Sequence, residues 1–381
     1  MVGGITGSGF PAATADVGET RYGPLGSTPD ANDLLLPADF QSRLVAVGGE
    51  YVEGTDYPWH PFPDGGACFA TDDGGWIYVS NSEVPELGHG GAGAVRFDAV
   101  GEIVDAYPIL TGTTMNCAGG KTSWGTWLSC EEYDAGQVWE CDPFGRQPAI
   151  VRPALGTFPH EVAVADPRRK VLYLTEDRPD GLFYRFRPNR WRDLTSGRLA
   201  AASVDDDGHV TWLPVTDPQA GSGPVRAGVK GATPFNGGEG AVVHGDAVFF
   251  CTKGDDFVRK LDLRTSRLST IWEGDEPLRG ADNLTVHRRT GDLFVCEDGG
   301  NMEVVVIGSD GNVAPFARFV GHDESEVTGI AFDPSGTRLY FSSQRALSPK
   351  RVSDVVPGLM DTMILGRTYE VTGPFRAKRN R

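Results

Sequence analysis

The chain has 381 residues and a formal charge of −17, from 35 Lys and Arg against 52 Asp and Glu. Its 51 Gly and 26 Pro make up about a fifth of the chain, which is typical of many short strands joined by turns. The acidity excludes a general nucleic-acid binder and argues against adsorption to anionic membranes, since both need a basic surface. No stretch approaches 18 consecutive apolar residues, which argues against a membrane-spanning helix. From the acidity and this absence together, we expect no nucleic-acid partner and no membrane.

The first 40 residues are expected to form an extension that leads into the main domain. Residues 1–9 are rich in Gly and contain neither the basic nor the apolar segment of an export signal. The protein is therefore expected in the cytoplasm if this start is genuine; otherwise a leader has been lost or was never included. Only Ala31–Phe40 and Asp193–Ala202 read as short helices, and elsewhere the pattern predicts strands of four to seven residues.

A turn followed by an apolar strand with a polar or acidic end recurs six times along the chain. The copies are DDGGWIYVSNSE, SWGTWLSCEE, DPRRKVLYLTED, HGDAVFFCTKGDD, RTGDLFVCEDGG and DPSGTRLYFSSQR. A second polar residue precedes the end of each copy by 15 to 19 residues, as Glu161 precedes Asp177 and Asp282 precedes Asp298. About sixteen residues suit two strands of about six joined by a tight turn, so each repeat places two polar groups at one end of a hairpin.

The spacing of the repeats predicts an all-β fold, a six-bladed β-propeller with a metal site in its central channel. We expect residues 41–381 to form this single domain, with an insertion at about 188–235. Closing the ring requires a strand from each end of the chain, and Arg367–Val371 is the C-terminal candidate. Radial symmetry then brings the six polar hairpin ends to one mouth of the channel.

Fourteen carboxylates are expected near that mouth, although neighbouring residues of a strand face opposite ways. They are Asp64, Glu83, Glu131, Glu132, Glu161, Glu176, Asp177, Glu239, Asp255, Asp256, Asp282, Glu297, Asp298 and Glu326. So many carboxylates cannot all ionise together without cations. Their oxygens, with that of Asn283, suit calcium or another hard metal, and the thiolate of Cys117 would add a softer ligand able to hold iron or another transition metal.

The run Asn116–Glu132, NCAGGKTSWGTWLSCEE, closely resembles a hallmark segment of the PhoX alkaline phosphatase family. Weaker matches follow the chain in order, including Pro63-Asp64-Gly65, His160-Glu161 and Glu239-Gly240. The resemblance implies a six-bladed propeller whose channel holds iron and calcium ions that hydrolyse phosphomonoesters. It also implies that Cys117 binds iron and that the metal ligands include Glu132, Glu161, Glu239 and Asp282. Asp177 and Asp298 join this predicted ligand set because they hold equivalent places in the repeats.

The chain departs from that family at several positions. Gly237-Gly238-Glu239 stands where the family has Arg-Pro-Glu, so the Arg that would contact phosphate is absent. Lys121 and Arg345 are the candidate substitutes for this cation. The family is usually exported, whereas this chain shows no twin-arginine leader.

Three functions are consistent with these patterns. The first is a metal-dependent phosphatase acting on a small phosphorylated substrate. The second is a calcium-dependent lactonase or esterase on the same scaffold, in which Asn283 binds calcium and Cys117 has no role. The third is a non-catalytic propeller that keeps metals for stability and binds a partner. The sequence does not distinguish their oligomeric states.

Overall fold

The computed structural model describes residues 20–346, 352–356 and 365–375. Within these ranges the chain forms six antiparallel sheets arranged around a central channel. Residues 1–19, which include the start of the predicted extension, lie outside the described residues. We number the sheets as blades 1 to 6 in the chain order of their innermost strands.

The first three blades occupy the N-terminal half of the chain. Blade 1 contains β3 (Pro63–Ala70), β4 (Trp76–Ser82), β5 (Gly90–Phe97) and β6 (Ile103–Thr113). Blade 2 contains β7 (Asn116–Lys121), β8 (Trp127–Glu131), β9 (Val138–Cys141) and β10 (Ile150–Val151). Blade 3 contains β11 (His160–Asp166), β12 (Val171–Glu176), β13 (Phe183–Arg190), β14 (Asp193–Val204) and β15 (Val210–Pro214).

The last three blades complete the ring and take in the N-terminal strands. Blade 4 contains β16 (Gly238–His244), β17 (Ala247–Thr252), β18 (Phe257–Asp262) and β19 (Arg267–Glu273). Blade 5 contains β20 (Ala281–Val286), β21 (Leu293–Glu297), β22 (Glu303–Ile307) and β23 (Val313–Phe319), with β1 (Leu34–Leu35) at its edge. Blade 6 contains β24 (Val327–Phe332), β25 (Arg338–Ser343), β26 (Arg367–Thr372) and β2 (Gln41–Val47).

Helical structure in the described residues is short. It comprises 3-10 turns at Pro153–Leu155, Val225–Gly228 and Lys253–Asp255 and one α-helical turn, α1, at Val352–Val355. None of these helices has the length and apolar character needed to cross a membrane.

The ring is closed by contacts between the innermost strands and by strand pairing within blade 6. Each innermost strand contacts the innermost strands of both neighbouring blades, and β24 of blade 6 returns to β3 of blade 1. In blade 6 the C-terminal β26 pairs with the N-terminal β2, as the sequence predicts. Buried Glu370 on β26 reinforces this closure, because its carboxylate accepts hydrogen bonds from Arg43 at 3.0 Å and from Arg338 at 2.8 Å. The predicted six-bladed propeller is confirmed.

The hydrophobic core is divided among the spaces between blades. Each of the six blade pairs encloses its own cluster of buried apolar residues, such as the one that packs Phe183 of blade 3 on Phe250 of blade 4. Each sheet thus buries both faces, which explains why the strands near the axis read as continuous apolar runs rather than as alternating ones.

Both helices predicted from the sequence are wrong. Residues 31–40 contain a turn held by Asp30, whose carboxylate accepts the N–H groups of Asn32 and Leu34, followed by the short strand β1. Residues 193–202 belong to β14, which is paired on both sides, with β13 and β15. The alanines of β14 favour a helix locally, but pairing on both edges of the strand overrides that preference.

The predicted insertion at about 188–235 falls mainly in blade 3. It lengthens the β13–β14 hairpin and supplies β15, which makes this a five-stranded blade. Its remaining residues run back over blade 3 to Pro234, which bridges to Leu182. The insertion therefore extends the outer part of one blade, while the innermost strand β11 keeps its place in the ring.

Candidate metal centre

The six inner hairpins all end at the same mouth of the channel. At that end the outermost paired residues are Pro63–Ser82, Asn116–Glu131, His160–Glu176, Gly238–Thr252, Ala281–Glu297 and Val327–Ser343. The next residue on each innermost strand is Asp64, Cys117, Glu161, Glu239, Asp282 or Thr328. The next residue on each second strand is Glu83, Glu132, Asp177, Lys253, Asp298 or Gln344. The repeat thus brings twelve equivalent positions to the mouth.

A bulge lies next to the paired end in every one of these hairpins. The register shifts directly after His160 in blade 3, for example, and at the corresponding place in blades 1, 2, 4 and 5, whereas in blade 6 it shifts one residue later, after Thr328. A bulge re-aims side chains and bends the strand, and in blades 1 to 5 it coincides with Glu161 and its counterparts. Innermost strands also approach each other closely: a Cβ on Gly65 would lie 2.4 Å from Ala118 Cα of the next blade.

Nine of the side chains at the mouth form a continuous arc of potential metal ligands. Four overlapping groups have ligand atoms within 4.8 Å of one another: Asp64, Glu83 and Cys117; Cys117, Glu132 and Glu161; Glu161, Glu239 and Asp282; Asp282, Asp298 and Glu326. We call these nine residues the ligand cluster. It contains every predicted metal ligand except Asp177.

Asp177 lies beside the ligand cluster rather than in one of its groups. Its charge contributes to the raised pKa of Glu132, after burial and Glu83, so its carboxylate is near the Glu132 side chain. A role for Asp177 as a ligand stays a prediction.

Five of the other carboxylates expected at the mouth are used in local structure. Glu131, Glu176 and Glu297 immediately precede mouth positions and accept backbone N–H groups of the following loops, those of Gln137, Leu182 and Glu303. Asp256 accepts the N–H of Gly280, and Asp255 pairs with Arg259. The alternation of side chains along a strand accounts for the first three, because the residue next to an inward one faces the other way.

Cys117 is held in position by a buried asparagine of the neighbouring blade. Asn81 Nδ2 donates to the carbonyl oxygens of Cys117 at 3.0 Å and Ala118 at 2.7 Å. Asn81 Oδ1 in turn accepts hydrogen bonds from Trp127 and Ser129 of the hairpin that carries Cys117. This positioning role is not apparent from the sequence, where Asn81 is only the residue two places before Glu83.

The ligand cluster carries a large unbalanced negative charge. Burial raises the pKa of Glu161, and the charges of Glu239 and Asp282 raise it further. Burial and the adjacent Glu83 raise the pKa of Glu132 to about 9. Burial, followed by the charge of Asp64, likewise raises the pKa of the Cys117 thiol. These residues take up protons unless another cation is present.

Glu161 provides the most direct indication that a cation belongs in the cluster. Its side chain is fully buried, and neither carboxylate oxygen accepts a hydrogen bond. Buried polar atoms are nearly always hydrogen-bonded, so two open oxygens aimed into a group of carboxylates and a thiol fit a metal ion. The donor set suits both predicted metals, because carboxylate oxygens suit calcium and Cys117 adds a ligand for iron.

Lys253, a residue that the sequence reasoning missed, is the fourth-blade member of the mouth positions. The sequence places Asp255 there, sixteen residues after Glu239, and this assignment is wrong. The hairpin of blade 4 turns through only two residues between His244 and Ala247, so its mouth position comes fourteen residues after Glu239. Comparing turn lengths between the repeats could have revealed the shift.

Two further polar side chains of blade 6 contact the cluster. Gln344 Nε2 donates to Asp64 Oδ2 and to Glu83 Oε2, both at 2.7 Å. The guanidinium of Arg345 donates to Gln344 Oε1 and lies 3.3 Å from Glu326 Oε1. Its side chain is 35% exposed, so Arg345 lies at the entrance to the mouth.

Lys121, the other candidate phosphate contact, lies away from the cluster. It is four residues beyond Cys117 on β7, about 13 Å along an extended strand, and its ammonium donates to the carbonyl of Cys68. Lys121 and Asn283 line the continuation of the channel, a cavity of about 1070 Å³ on the far side of the cluster. Lys121 is thus not one of the side chains at the mouth, and its role as a phosphate contact stays a prediction.

The family comparison matches a central part of the chain that contains several residues of the ligand cluster. Residues 91–137 and 133–260 match the sequence model of the family described as alkaline phosphatase PhoX. The predicted resemblance to the PhoX family is confirmed. The matched region contains Cys117, Glu132, Glu161 and Glu239 of the ligand cluster, together with Lys253. No curated protein sequence matches the chain significantly.

Solved structures share the fold at low sequence identity. PhoX of Pseudomonas fluorescens, solved in complex with vanadate, a transition state analogue, is 17% identical. The match has a TM-score of 0.72 and covers 92% of this chain and 98% of that one. A putative gluconolactonase is 13% identical, with a TM-score of 0.50 and coverage of 92% and 97%. The fold thus agrees much better with the PhoX-type structure than with this gluconolactonase.

Proposed function

We propose that the protein is a metal-dependent phosphomonoester hydrolase that binds iron and calcium at the ligand cluster. One observation carries the proposal: buried Cys117 lies within 4.8 Å of ligand atoms of Asp64 and Glu83 on one side and of Glu132 and Glu161 on the other. It does so inside a segment that matches the PhoX alkaline phosphatase family. A thiol shared by two carboxylate groups supports a site for more than one metal.

The residues divide into ligands and residues that position them. Cys117, Glu132 and Glu161 would hold iron, and the neighbouring carboxylates Asp64 and Glu83 would bind calcium. Bound metals would supply Lewis-acid stabilisation of the phosphoryl oxygens and an activated oxygen nucleophile. Gln344 fixes the orientation of Asp64 and Glu83 through its two hydrogen bonds, and Asn81 fixes the backbone that carries Cys117.

Arg345 supports recognition of an anionic substrate. Its guanidinium is partly exposed at the mouth, and a planar fork of N–H donors suits phosphate oxygens. The position that carries Arg in the resembled family is Gly237, where φ is +67° and a Cβ would lie 3.3 Å from Asp177 Oδ1. Arg345, from a different blade, would supply the cation that is absent at Gly237.

The proposal is tested by phosphate release from an aryl phosphate in the presence of added calcium and iron. Activity is expected in the unmodified protein and is expected to vanish in Cys117→Ala and Glu161→Ala. Glu53→Gln, a change at an exposed carboxylate outside the mouth, is the control and should keep full activity. Full activity in Cys117→Ala would instead favour a calcium site in which the thiol has no part.

A further inference from the structure

The ring of mouth positions is interrupted by one cation. Of the six second-strand positions, four carry carboxylates, one carries Gln344 and one carries Lys253. Backbone hydrogen bonds hold Lys253 in register: its N–H donates to Gly237 O at 2.8 Å, and the N–H of Gly254 donates to Asn236 O at 3.0 Å. The lysine side chain thus starts from the place where Glu132 and Asp298 start in their own blades.

The ammonium group of Lys253 lies among three carboxylates. Its Nζ is 3.0 Å from Glu239 Oε1, 3.1 Å from Asp298 Oδ2 and 3.5 Å from Asp282 Oδ2. All three acidic residues belong to the ligand cluster. The ammonium thus contacts carboxylates of two overlapping groups of potential ligands, the one with Glu239 and Asp282 and the one with Asp282 and Asp298.

Charge is balanced unevenly around the mouth. Lys253 and Arg345 contact the arc that runs from Glu239 to Glu326. In the arc that contains Cys117, the nearest cation contact in the described structure is Arg178, 3.8 Å from Glu132. Both oxygens of Glu161 remain without a hydrogen bond. Two cationic side chains thus contact one half of the cluster within 3.3 Å, whereas the described residues give the other half only the longer Arg178 contact.

We infer that Lys253 is a built-in cation that takes the place of one divalent metal ion beside Glu239, Asp282 and Asp298. Metal binding is then confined to the half of the cluster that contains Cys117. A divalent ion bound to the same three carboxylates would lie within a few ångströms of the ammonium, and their repulsion opposes joint occupancy. The inference rests on the proposed function only in taking the cluster to bind metal.

The number of bound metal ions tests this inference. Unmodified protein, Lys253→Gln and Lys253→Asp are dialysed to equilibrium against calcium, and calcium per chain is measured by elemental analysis, with circular dichroism to verify folding. Both variants are expected to bind one more calcium ion per chain than the unmodified protein. Lys230→Gln, at an exposed lysine, is the control and should match the unmodified protein.

A second variant tests the same inference without removing the lysine. In the unmodified background, Glu239→Gln should leave the number of bound metal ions unchanged, whereas Glu161→Gln should lower it. The inference is overturned if folded Lys253 variants bind the same number of ions as the unmodified protein, or if Glu239→Gln loses one. An added ion in protein that releases no phosphate would support the inference while contradicting the phosphatase proposal.

Discussion

Glu132 illustrates how single residues of the mouth respond to their surroundings. Burial and the neighbouring charges of Glu83 and Asp177 raise its pKa from 4.5 to about 9. The folded, metal-free protein therefore keeps a proton that the unfolded chain loses above pH 4.5. Linkage then makes the stabilising effect of this proton complete below pH 4.5 and lost as the pH rises to about 9.

We accordingly expect metal-free protein to become less stable between pH 7 and 9. This window lies above the pH at which buried His60 and His160, whose pKa values burial lowers to about 3, affect the balance. The melting temperature in the presence of a chelator should fall across the window, and less steeply in Glu132→Gln. With calcium and iron bound the trend should reverse, because metal competes with protons for the same oxygens. A melting temperature in chelator that rises with pH would contradict this description of the cluster.

Arg345 and Lys121 provide a matched pair at the two ends of the channel. Only Arg345 contacts the ligand cluster, so only its removal should weaken substrate binding. Arg345→Ala is expected to raise KM for an aryl phosphate roughly tenfold with a smaller change in kcat, as expected when a charge-assisted contact to substrate is lost. Steady-state kinetics of Arg345→Ala and Lys121→Ala measure this, and equal KM values in the two variants would exclude Arg345 as the phosphate contact.

At the scale of elements, the inner hairpin is the unit that positions the ligands. Its bulge turns Glu161 and its counterparts into the channel, and glycine lets neighbouring innermost strands approach. The tightest case is Gly65 on β3, where a Cβ would lie 2.4 Å from the backbone of Ala118 on β7. Both β3 and β7 also contact a further innermost strand on their other side, so neither strand can move away to relieve this contact.

Gly65→Ala should therefore destabilise the protein by about 1–3 kcal/mol through overpacking. It should also weaken metal binding, since Asp64 and Cys117 lie on the two displaced strands. Gly228→Ala is the control, because a Cβ there meets nothing within 4 Å, and its effect should stay within about 0.5 kcal/mol. Chemical denaturation measures both free energies of unfolding, and equal values would show that the strand contact imposes no constraint.

The repeat pattern in the sequence predicts the inner hairpins of the blades and the end of each hairpin that carries polar residues. Six similar hairpins with polar ends imply the ring, the shared mouth and most of the ligand cluster. The same reasoning fails at Lys253, because a turn shorter by two residues moves the mouth position away from the expected spacing. It also fails at residues 193–202, where pairing with two neighbouring strands decides the conformation and the local alanine content does not.

At the scale of the whole molecule, closure of the ring brings the polar hairpin ends of all six blades together into one site. No single blade carries more than two mouth positions, so the ligand cluster exists only when all six blades are in place. Pairing of β2 with β26 joins an N-terminal strand and the C-terminal strand in blade 6, next to the blade that carries Asp64 and Glu83. The −17 formal charge of the chain is partly concentrated at this mouth, where bound cations would offset it.

Phosphate release by protein whose metals have been removed and then restored tests the central claim most directly. Chelated protein should release no phosphate from a broad panel of monoesters and nucleotides. Stepwise return of calcium and iron should restore release in proportion to the metal bound, as measured by elemental analysis of the same samples. The claim is contradicted if fully loaded, folded protein releases phosphate from none of these substrates, and calcium-dependent lactone hydrolysis by that sample would then identify the alternative.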